Sequence, residues 1–202
     1  EMEELNISLP SLSEEQEEVY YIQADSHALL EDNVSQLENQ AGSVDEEGIL
    51  YTSILSEAIE LSGNPKDGFT PEDYELLDAF VKSGAVLFGE EYSYLRFDRE
   101  QNRFIYTQAV QGLPITDGTS QISLFYGSDG TIISYQQTYA GPTITQGSSQ
   151  TVISDRRAIV ILFENGEITS NSTVSQPILS YHRTLHLEDL SMYGPVWFVQ
   201  VN

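Results

Sequence analysis

The sequence predicts an α+β fold in which the sheet is mostly antiparallel. The first observation is a segment at residues 70–84 that carries a full set of helix start and stop signals. The second is a series of β-branched and aromatic segments that occur in pairs around polar turns. The third is a possible second helix at residues 154–164. That helix would give two helix-then-hairpin units, 70–110 and 154–202, with a further hairpin at 120–139 between them.

The segment TPEDYELLDAFVKSG, residues 70–84, is the clearest predicted helix. Thr70 suits the N-cap, Pro71 suits the first helical position, and Gly84 is a natural stop. The acidic residues Glu72 and Asp73 favour the positive end of a helix. The apolar positions share one face, which we expect the following strands to cover: Tyr74, Leu77, Phe80 and Val81.

Strand-like and loop-like segments alternate over the rest of the chain. Residues 19–24 are β-branched and aromatic and predict a strand, whereas the polar, acidic stretch 25–47 predicts a loop or a short helix. Alternating residues in 48–61 predict one or two short strands. The other predictions are loops at 62–68 and 141–150, strands at 91–97 and 103–110 around a loop at 98–102, and two C-terminal strands around a loop near 188–194.

The hairpin at 120–139 has a predictable register. Strands at 120–126 and 131–139 flank Asp129-Gly130, a dipeptide that supplies the positive φ of a tight turn. A two-residue turn here makes Tyr126 face Ile133, Leu124 face Tyr135, and Ile122 face Gln137. This register places one set of apolar side chains on a single half-buried face: Ile122, Leu124, Tyr126, Ile133 and Tyr135.

The segment at 154–164 has two interpretations on residues alone. The β-branched run Ile159, Val160 and Ile161 is typical of a buried strand, whereas Ser154 followed by Asp155 is typical of a capped helix. Periodicity does not decide between them.

Charge divides the chain into two predicted subdomains. Residues 1–91 hold 23 acidic residues against two lysines, whereas 92–202 hold nine against six arginines, within a total net charge of -24. We therefore expect an acidic N-terminal subdomain that contains the 70–84 helix, followed by a β-rich C-terminal subdomain. Such a surface repels phosphate backbones and excludes a nucleic-acid partner, and it permits a basic protein partner.

Membrane and redox features are sparse. The longest apolar run, residues 158–163, is far shorter than the roughly 20 residues that span a bilayer. The chain begins with Glu1 rather than Met, and an N-terminal transmembrane anchor missing from this sequence is one explanation. The chain has no cysteine, which excludes disulfides and thiolate sites.

Catalytic and metal-binding patterns are weak. His182, His186 and Glu188 suggest a metal site, but on a strand four residues span roughly 13 Å, too far for one ion. Asp98 begins a calcium-loop-like pattern, but Arg103 occupies the position of the required glycine. The phosphate-binding, dinucleotide-binding and common hydrolase motifs do not occur, so we expect no cofactor and no enzymatic activity.

Gln137 is the unusual residue of the 120–139 hairpin, because the predicted register places its amide on an apolar face. An unpaired buried amide costs about 1–3 kcal/mol, so we expect it to bond the backbone of a neighbouring segment. The alternative is a contact with a ligand or partner, in which Tyr135, Gln137 and Tyr139 form the contact surface.

The order of these elements resembles the YycI family, regulators of the WalK/WalR (YycG/YycF) two-component system in low-GC Gram-positive bacteria. The similar segments follow the 70–84 helix: EYSYLRFDREQNRFIYTQAVQGLPI, ISLFYGSDGTIISYQQTY, ISDRRAIVILFENGEITSNS and PVWFVQV. The resemblance covers nearly the whole chain and is most specific from Glu91 to Asn202. It is structural rather than catalytic, and it favours a helix at 154–164.

The resemblance implies a fold related to the C-terminal domains of the companion protein YycH. It also implies an extracytoplasmic domain held at the cell membrane by one N-terminal helix, which would tune the sensor histidine kinase WalK and so cell-wall metabolism. The expected partners are a YycH-like protein and WalK. Two alternatives remain open. One is a sensor that binds an envelope ligand or peptide near Tyr135 to Tyr139, and the other is a wall hydrolase with paired carboxylates.

Overall fold

The computed structural model describes residue 2, residues 4–25 and residues 28–202. Within these residues the chain forms two antiparallel sheets and three α-helices, which confirms the predicted α+β class. The helices are α1 (Leu29–Asn33), α2 (Pro71–Lys82) and α3 (Asp155–Glu164), with single 3-10 turns at Val34–Gln36 and Gly89–Glu91. The strands are β1 (Glu17–Asp25), β2 (Gln40–Val44), β3 (Tyr51–Glu60), β4 (Tyr92–Asp98), β5 (Arg103–Val110), β6 (Leu113–Pro114), β7 (Gln121–Tyr126), β8 (Thr131–Gln137), β9 (Thr143–Val152), β10 (Ile178–His186) and β11 (Leu190–Phe198).

The two sheets draw on both ends of the chain. The small sheet has the order β10-β11-β1-β9, and the large sheet has the order β2-β3-β8-β7-β5-β4 with β6 paired to β5. β1 and β3 come from the acidic first 91 residues, yet β1 pairs with β9 and β11, and β3 pairs with β8. The predicted boundary at residue 91 thus marks a change in charge along the chain. Each sheet contains strands from both sides of that boundary.

Helix α2 covers one face of the large sheet, as its sequence predicts. Thr70 Oγ1 accepts a hydrogen bond from Asp73 N at 3.2 Å, and Asp73 Oδ2 accepts one from Thr70 N at 2.9 Å, which is a capping box. Leu77 and Val81 are fully buried, and Tyr74 and Phe80 pack against the same cluster. That cluster also contains inward residues of five sheet strands, among them Tyr51, Tyr92, Phe104, Tyr106, Leu124 and Tyr135.

The hairpin of β7 and β8 follows the predicted register away from its turn and departs from it near the turn. The predicted pair Tyr126 and Ile133 is wrong. Ile122 faces Gln137 and Leu124 faces Tyr135 as predicted, but Tyr126 faces Ile132.

The cause is a three-residue turn in place of the predicted two-residue turn. Gly127 N donates to Thr131 O at 2.8 Å, Gly130 N donates to Gly127 O at 3.1 Å, and Gly130 adopts φ +83°. A loop of this length moves the pairing by one residue, and an irregularity beside Ile133 restores it. Ile132 is therefore buried, whereas Ile133 is 51% exposed.

Three segment predictions need correction, and the strand prediction for 48–61 is confirmed as a single strand. The predicted loop at 141–150 forms most of β9, an edge strand whose mostly exposed side chains give no apolar alternation. The predicted loop near 188–194 is shorter, because β11 begins at Leu190. The stretch 25–47 contains the expected short helix α1 but also the unpredicted edge strand β2. The stretch 48–61 forms one ten-residue strand, β3.

Helix α3 resolves the ambiguity at 154–164 in favour of a helix. Ser154 Oγ accepts a hydrogen bond from Arg157 N at 3.2 Å and caps the first turn. Ile159 is fully buried with Ile7, Ile168 and Val174 in a third apolar cluster. Within the described residues no helix is long and apolar enough to cross a membrane.

Candidate functional site

A cleft of about 540 Å³ lies where the two sheets meet. Its walls come from β10 and β11 of the small sheet, from the segments that follow β2, β6 and β8, and from the region of α1, so it forms only when the whole fold assembles. Polar and aromatic side chains dominate the part supplied by β10, β11 and the segment after β6. The lining residues used below are Asp117, Thr119, Tyr139, Arg183, His186 and Tyr193.

The sheets are joined beside this cleft by backbone and side-chain hydrogen bonds. The segment after β6 forms a parallel bridge between Ile115 and Tyr181, and Thr116 N donates to Tyr181 O at 3.1 Å. Gln108, buried on β5, donates from Nε2 to Gly141 O at 3.0 Å. These contacts fix β10 and the start of β9 against the large sheet.

Asp117 is the most strongly bonded side chain of the cleft. Its Oδ1 accepts from Thr119 N at 3.0 Å and from Thr119 Oγ1 at 2.6 Å, and its Oδ2 accepts from Arg183 N at 2.6 Å. The side chain is 6% exposed. A carboxylate with three such donors is held in place and ties the loop after β6 to β10. Its role in this arrangement is structural.

Thr119 extends this network to β11. Its hydroxyl hydrogen is directed to Asp117, so the contact of 2.7 Å between Thr119 Oγ1 and the Tyr193 hydroxyl has tyrosine as its donor. Burial raises the pKa of Tyr193, which keeps the phenol protonated as a donor. The bonds among Asp117, Thr119 and Tyr193 therefore connect three separate segments at the floor of the cleft.

The histidines of β10 lie on a strand, as predicted, and do not converge. His186 Nδ1 is 3.0 Å from Ser191 Oγ, and His182 Nδ1 is 4.0 Å from Asp117 Oδ2. Glu188 falls in the connection between β10 and β11. Across residues 2, 4–25 and 28–202, no cluster of three metal-binding side chains occurs. Asp98, the first residue of the calcium-like pattern, pairs with Arg103 at 3.0 Å within a hairpin.

Two of the three predicted contact residues lie in the interior. Gln137 is fully buried, and its Nε2 donates to Leu87 O at 2.7 Å and lies 3.3 Å from the Tyr92 hydroxyl. Among the described residues its Oε1 has no hydrogen-bond partner. Tyr135 is also fully buried and donates to Gln40 Oε1 at 2.8 Å. The backbone bond expected for Gln137 is thus present.

Helix α2 and the segment after it cover this part of the sheet. Phe80 of α2 packs edge-on against Tyr135, with ring centroids 6.0 Å apart. Tyr139 differs from its two neighbours, because it stacks on Phe88 at 4.1 Å and lines the cleft. A small molecule could therefore meet Tyr139 in this structure, but not Tyr135 or Gln137.

Sequence reasoning did not identify the residues of the cleft floor. Asp117-Gly118-Thr119 carries one visible local signal, since an aspartate commonly bonds the backbone two residues further on. Arg183 carries no such signal, because the bond to Asp117 joins residues 66 positions apart.

Comparison with models of known protein families shows which family the chain belongs to. A family model described as YycI protein matches residues 1–202, the whole chain. This chain is a member of the YycI family. YycI proteins are regulators of the WalK (YycG) two-component system and are not known as enzymes. The resemblance drawn from the order of the segments is therefore confirmed.

Other comparisons add little to the YycI assignment. No curated protein matches the chain. A solved structure with a similar arrangement is an uncharacterized protein from Eubacterium rectale. It has 11% identity and a TM-score of 0.46, and the match covers 97% of this chain and 82% of that chain.

Proposed function

We propose that this YycI-family protein is a non-enzymatic regulator that acts outside the cytoplasmic membrane on the sensor histidine kinase WalK. It does so through protein contacts with the kinase and with a YycH-like protein. The observation that carries the proposal is the family match over the whole chain. The cleft supports it, since the carboxylate on its floor is engaged by three hydrogen bonds rather than poised for catalysis.

The proposed location is the cell membrane, with one transmembrane helix ahead of residue 1. A helix of about 20 apolar residues would be needed to span the bilayer. The described N-terminal segment runs along α3, where Ser13 N donates to Asp155 Oδ1 at 2.7 Å. An anchor upstream of Glu1 would therefore place α3 and its apolar cluster at the end of the domain that lies nearest the membrane.

The charge of the chain favours a basic protein surface as partner. A net charge of -24 attracts cationic surfaces and raises association rates at low salt. Nucleic acid is not an expected partner, because its phosphates would meet the same repulsion.

The outer face of the small sheet is the surface that we propose for the YycH-like protein. One row of side chains crosses all four strands in register, because Gln23 faces both Ile144 and Met192, and Met192 faces Leu185. Ile144 is 60% exposed and Leu185 is 46% exposed. Together with Met192, these two side chains give the outer face an apolar row that we propose the partner covers.

A second candidate function is an envelope ligand sensor. The cleft volume of about 540 Å³ falls within the range of small-molecule sites, and Tyr139 and Arg183 supply an aromatic and a cationic wall. In this case the ligand would bind at Tyr139, and contacts by Tyr135 and Gln137 would be indirect.

Binding to separate soluble partner domains tests the proposal. We expect the ectodomain of a YycH-like protein from the same organism to bind this chain in isothermal titration calorimetry. Ile144→Glu should weaken binding by about tenfold or more, because it places a charge in an apolar contact. Ile133→Glu is the matched control on the large sheet, where Ile133 is 51% exposed, and it should bind as wild type does.

The outcomes distinguish an error in the proposed binding surface from an error in the proposed function. If neither the YycH-like ectodomain nor the extracytoplasmic domain of the kinase binds, the proposed function is wrong. If they bind but Ile144→Glu and Ile133→Glu behave alike, the small-sheet surface is wrong and the function stands.

A further inference from the structure

A second site lies on the large sheet, on the side covered by α2. Tyr74 and Asp78 are four residues apart on α2 and so project from the same side of the helix. Tyr94 of β4 and Tyr106 of β5 face each other directly across the two strands. These four side chains line a pocket of about 400 Å³, which we call the tyrosine pocket.

The rings of the tyrosine pocket are close and inclined to one another. The ring centroids of Tyr74 and Tyr94 are 5.2 Å apart, and those of Tyr94 and Tyr106 are 5.6 Å apart at 66°. An aromatic ring attracts a cation that lies over its face, and the side chains of three tyrosines line this one pocket. The carboxylate of Asp78 adds a full negative charge to the same wall.

The Tyr106 hydroxyl is the second observation that indicates a ligand. Tyr106 is fully buried, and its hydroxyl oxygen has no hydrogen-bond partner among the described residues. Buried hydroxyl groups are normally paired. A donor that enters the pocket can give this oxygen the partner that it lacks.

The nearby cations of the chain do not occupy the tyrosine pocket. Lys82 Nζ lies 3.1 Å from Asp78 Oδ2, but both side chains are more than a third exposed. Such a surface ion pair is weak, so a ligand cation can displace Lys82 from Asp78. The pairing is irregular between Tyr94, which faces Tyr106, and Arg96, which faces Ile105, so Arg96 lies on the opposite face of the sheet from Tyr94.

We propose that the tyrosine pocket binds an organic ammonium group, held by the rings of Tyr74 and Tyr94 and the carboxylate of Asp78, with the Tyr106 hydroxyl accepting a hydrogen bond where the group carries an N–H. The group can come from a lysine side chain of a protein or from a small quaternary ammonium compound. This site is separate from the small-sheet surface and does not depend on the regulatory function.

Titration with simple cations tests the site. The probes are tetramethylammonium chloride and N-acetyl-lysine methylamide, with the neutral isostere 3,3-dimethyl-1-butanol and sodium chloride at equal ionic strength as controls. We expect both cations to shift the tyrosine ring NMR signals in a saturable way, and the two controls not to do so. Tighter binding of the lysine amide identifies a protein side chain as the source, and tighter binding of tetramethylammonium identifies a small molecule.

Variants locate the binding. Asp78→Asn should weaken the binding of both cations by about threefold or more. Tyr106→Phe should weaken the binding of N-acetyl-lysine methylamide by a similar factor and leave that of tetramethylammonium unchanged, because only the lysine ammonium has an N–H to donate to the hydroxyl. Glu57→Gln removes one exposed negative charge on β3 and should leave binding unchanged. Tyr106→Phe removes only the unpartnered hydroxyl, so we expect it to fold as wild type does. A shift that is equal for the neutral isostere, or equal in wild type, Asp78→Asn and Tyr106→Phe, would overturn the proposal.

Discussion

Gly141→Ala is expected to lower the free energy of unfolding by about 3 kcal/mol or more. Gly141 adopts φ +101°, a conformation that L side chains rarely adopt. An added Cβ would lie 1.8 Å from Asp25 O, which is a backbone atom at the end of β1. That backbone has little freedom to move, because Asp25 N donates to Pro142 O at 3.0 Å.

Gly147→Ala is the matched control for this effect. Gly147 lies on β9, six residues after Gly141, and also has a positive φ, +63°, but a Cβ there would meet nothing within 4 Å. Gly147→Ala should lower the free energy of unfolding by about 1–2 kcal/mol, which is the cost of the left-handed backbone conformation alone. Urea unfolding at fixed pH measures both variants. Equal losses would contradict the claim that the close approach of Gly141 to β1 makes its substitution more costly.

Asp73→Asn is expected to lower the free energy of unfolding by about 3 kcal/mol. Asp73 is 2% exposed, and its carboxylate accepts hydrogen bonds from Ser62 N, Gly63 N and Thr70 N at 2.8, 2.8 and 2.9 Å. An amide keeps the size of the side chain but turns one acceptor into a donor, which leaves buried backbone N–H groups unpaired. Glu72→Gln, at an exposed position next to it, should cost no more than about 0.5 kcal/mol.

The same carboxylate makes stability depend on pH. Burial alone would raise the pKa of Asp73, but hydrogen bonds from Thr70, Ser62 and Gly63 outweigh burial and hold the pKa at about 2, below its ordinary 3.8. Its contribution, about 2 kcal/mol, is present above pH 4 and is lost as the pH falls toward 2. Urea unfolding between about pH 5 and pH 2 should therefore show a smaller loss for Asp73→Asn than for wild type. Parallel curves would contradict this account.

Local signals made α2 predictable before the structure. Thr70, Pro71 and Gly84 act within a few residues of the helix ends, and they occupy the positions that the sequence predicts. At α3 the cap at Ser154 competed with a β-branched run, and the residues alone left both interpretations open. In the structure Ile159 shares an apolar cluster with Ile7 of the N-terminal segment and with Ile168 and Val174. This long-range packing stabilises the helix and is not visible in the local sequence.

The edge strands β2 and β9 were not predictable from periodicity. Their side chains are mostly exposed, so neither strand needs the alternation that marks a half-buried strand. The hairpin turn at Gly130 was predictable in place but not in length, because Asp-Gly occurs in loops of two and of three residues.

The candidate sites depended on contacts between distant residues. Gln137 was expected to bond backbone, and its partner at Leu87 O lies 50 residues away. Its burial beneath the segment that follows α2 could not be predicted without knowing which sheet face that segment covers. Tyr94 and Tyr106 were visible as strand residues, but the approach of α2 to them follows from the assembled fold.

Kinase output in living cells is the most direct test of the proposed regulation. The measurement is the phosphorylated fraction of WalR in a strain without this protein, in the same strain with the wild-type protein restored, and with Ile144→Glu restored at equal abundance. We expect deletion to change the phosphorylated fraction, wild type to restore it, and Ile144→Glu to fail. An unchanged phosphorylated fraction in the deletion strain would contradict the claim that this protein regulates WalK.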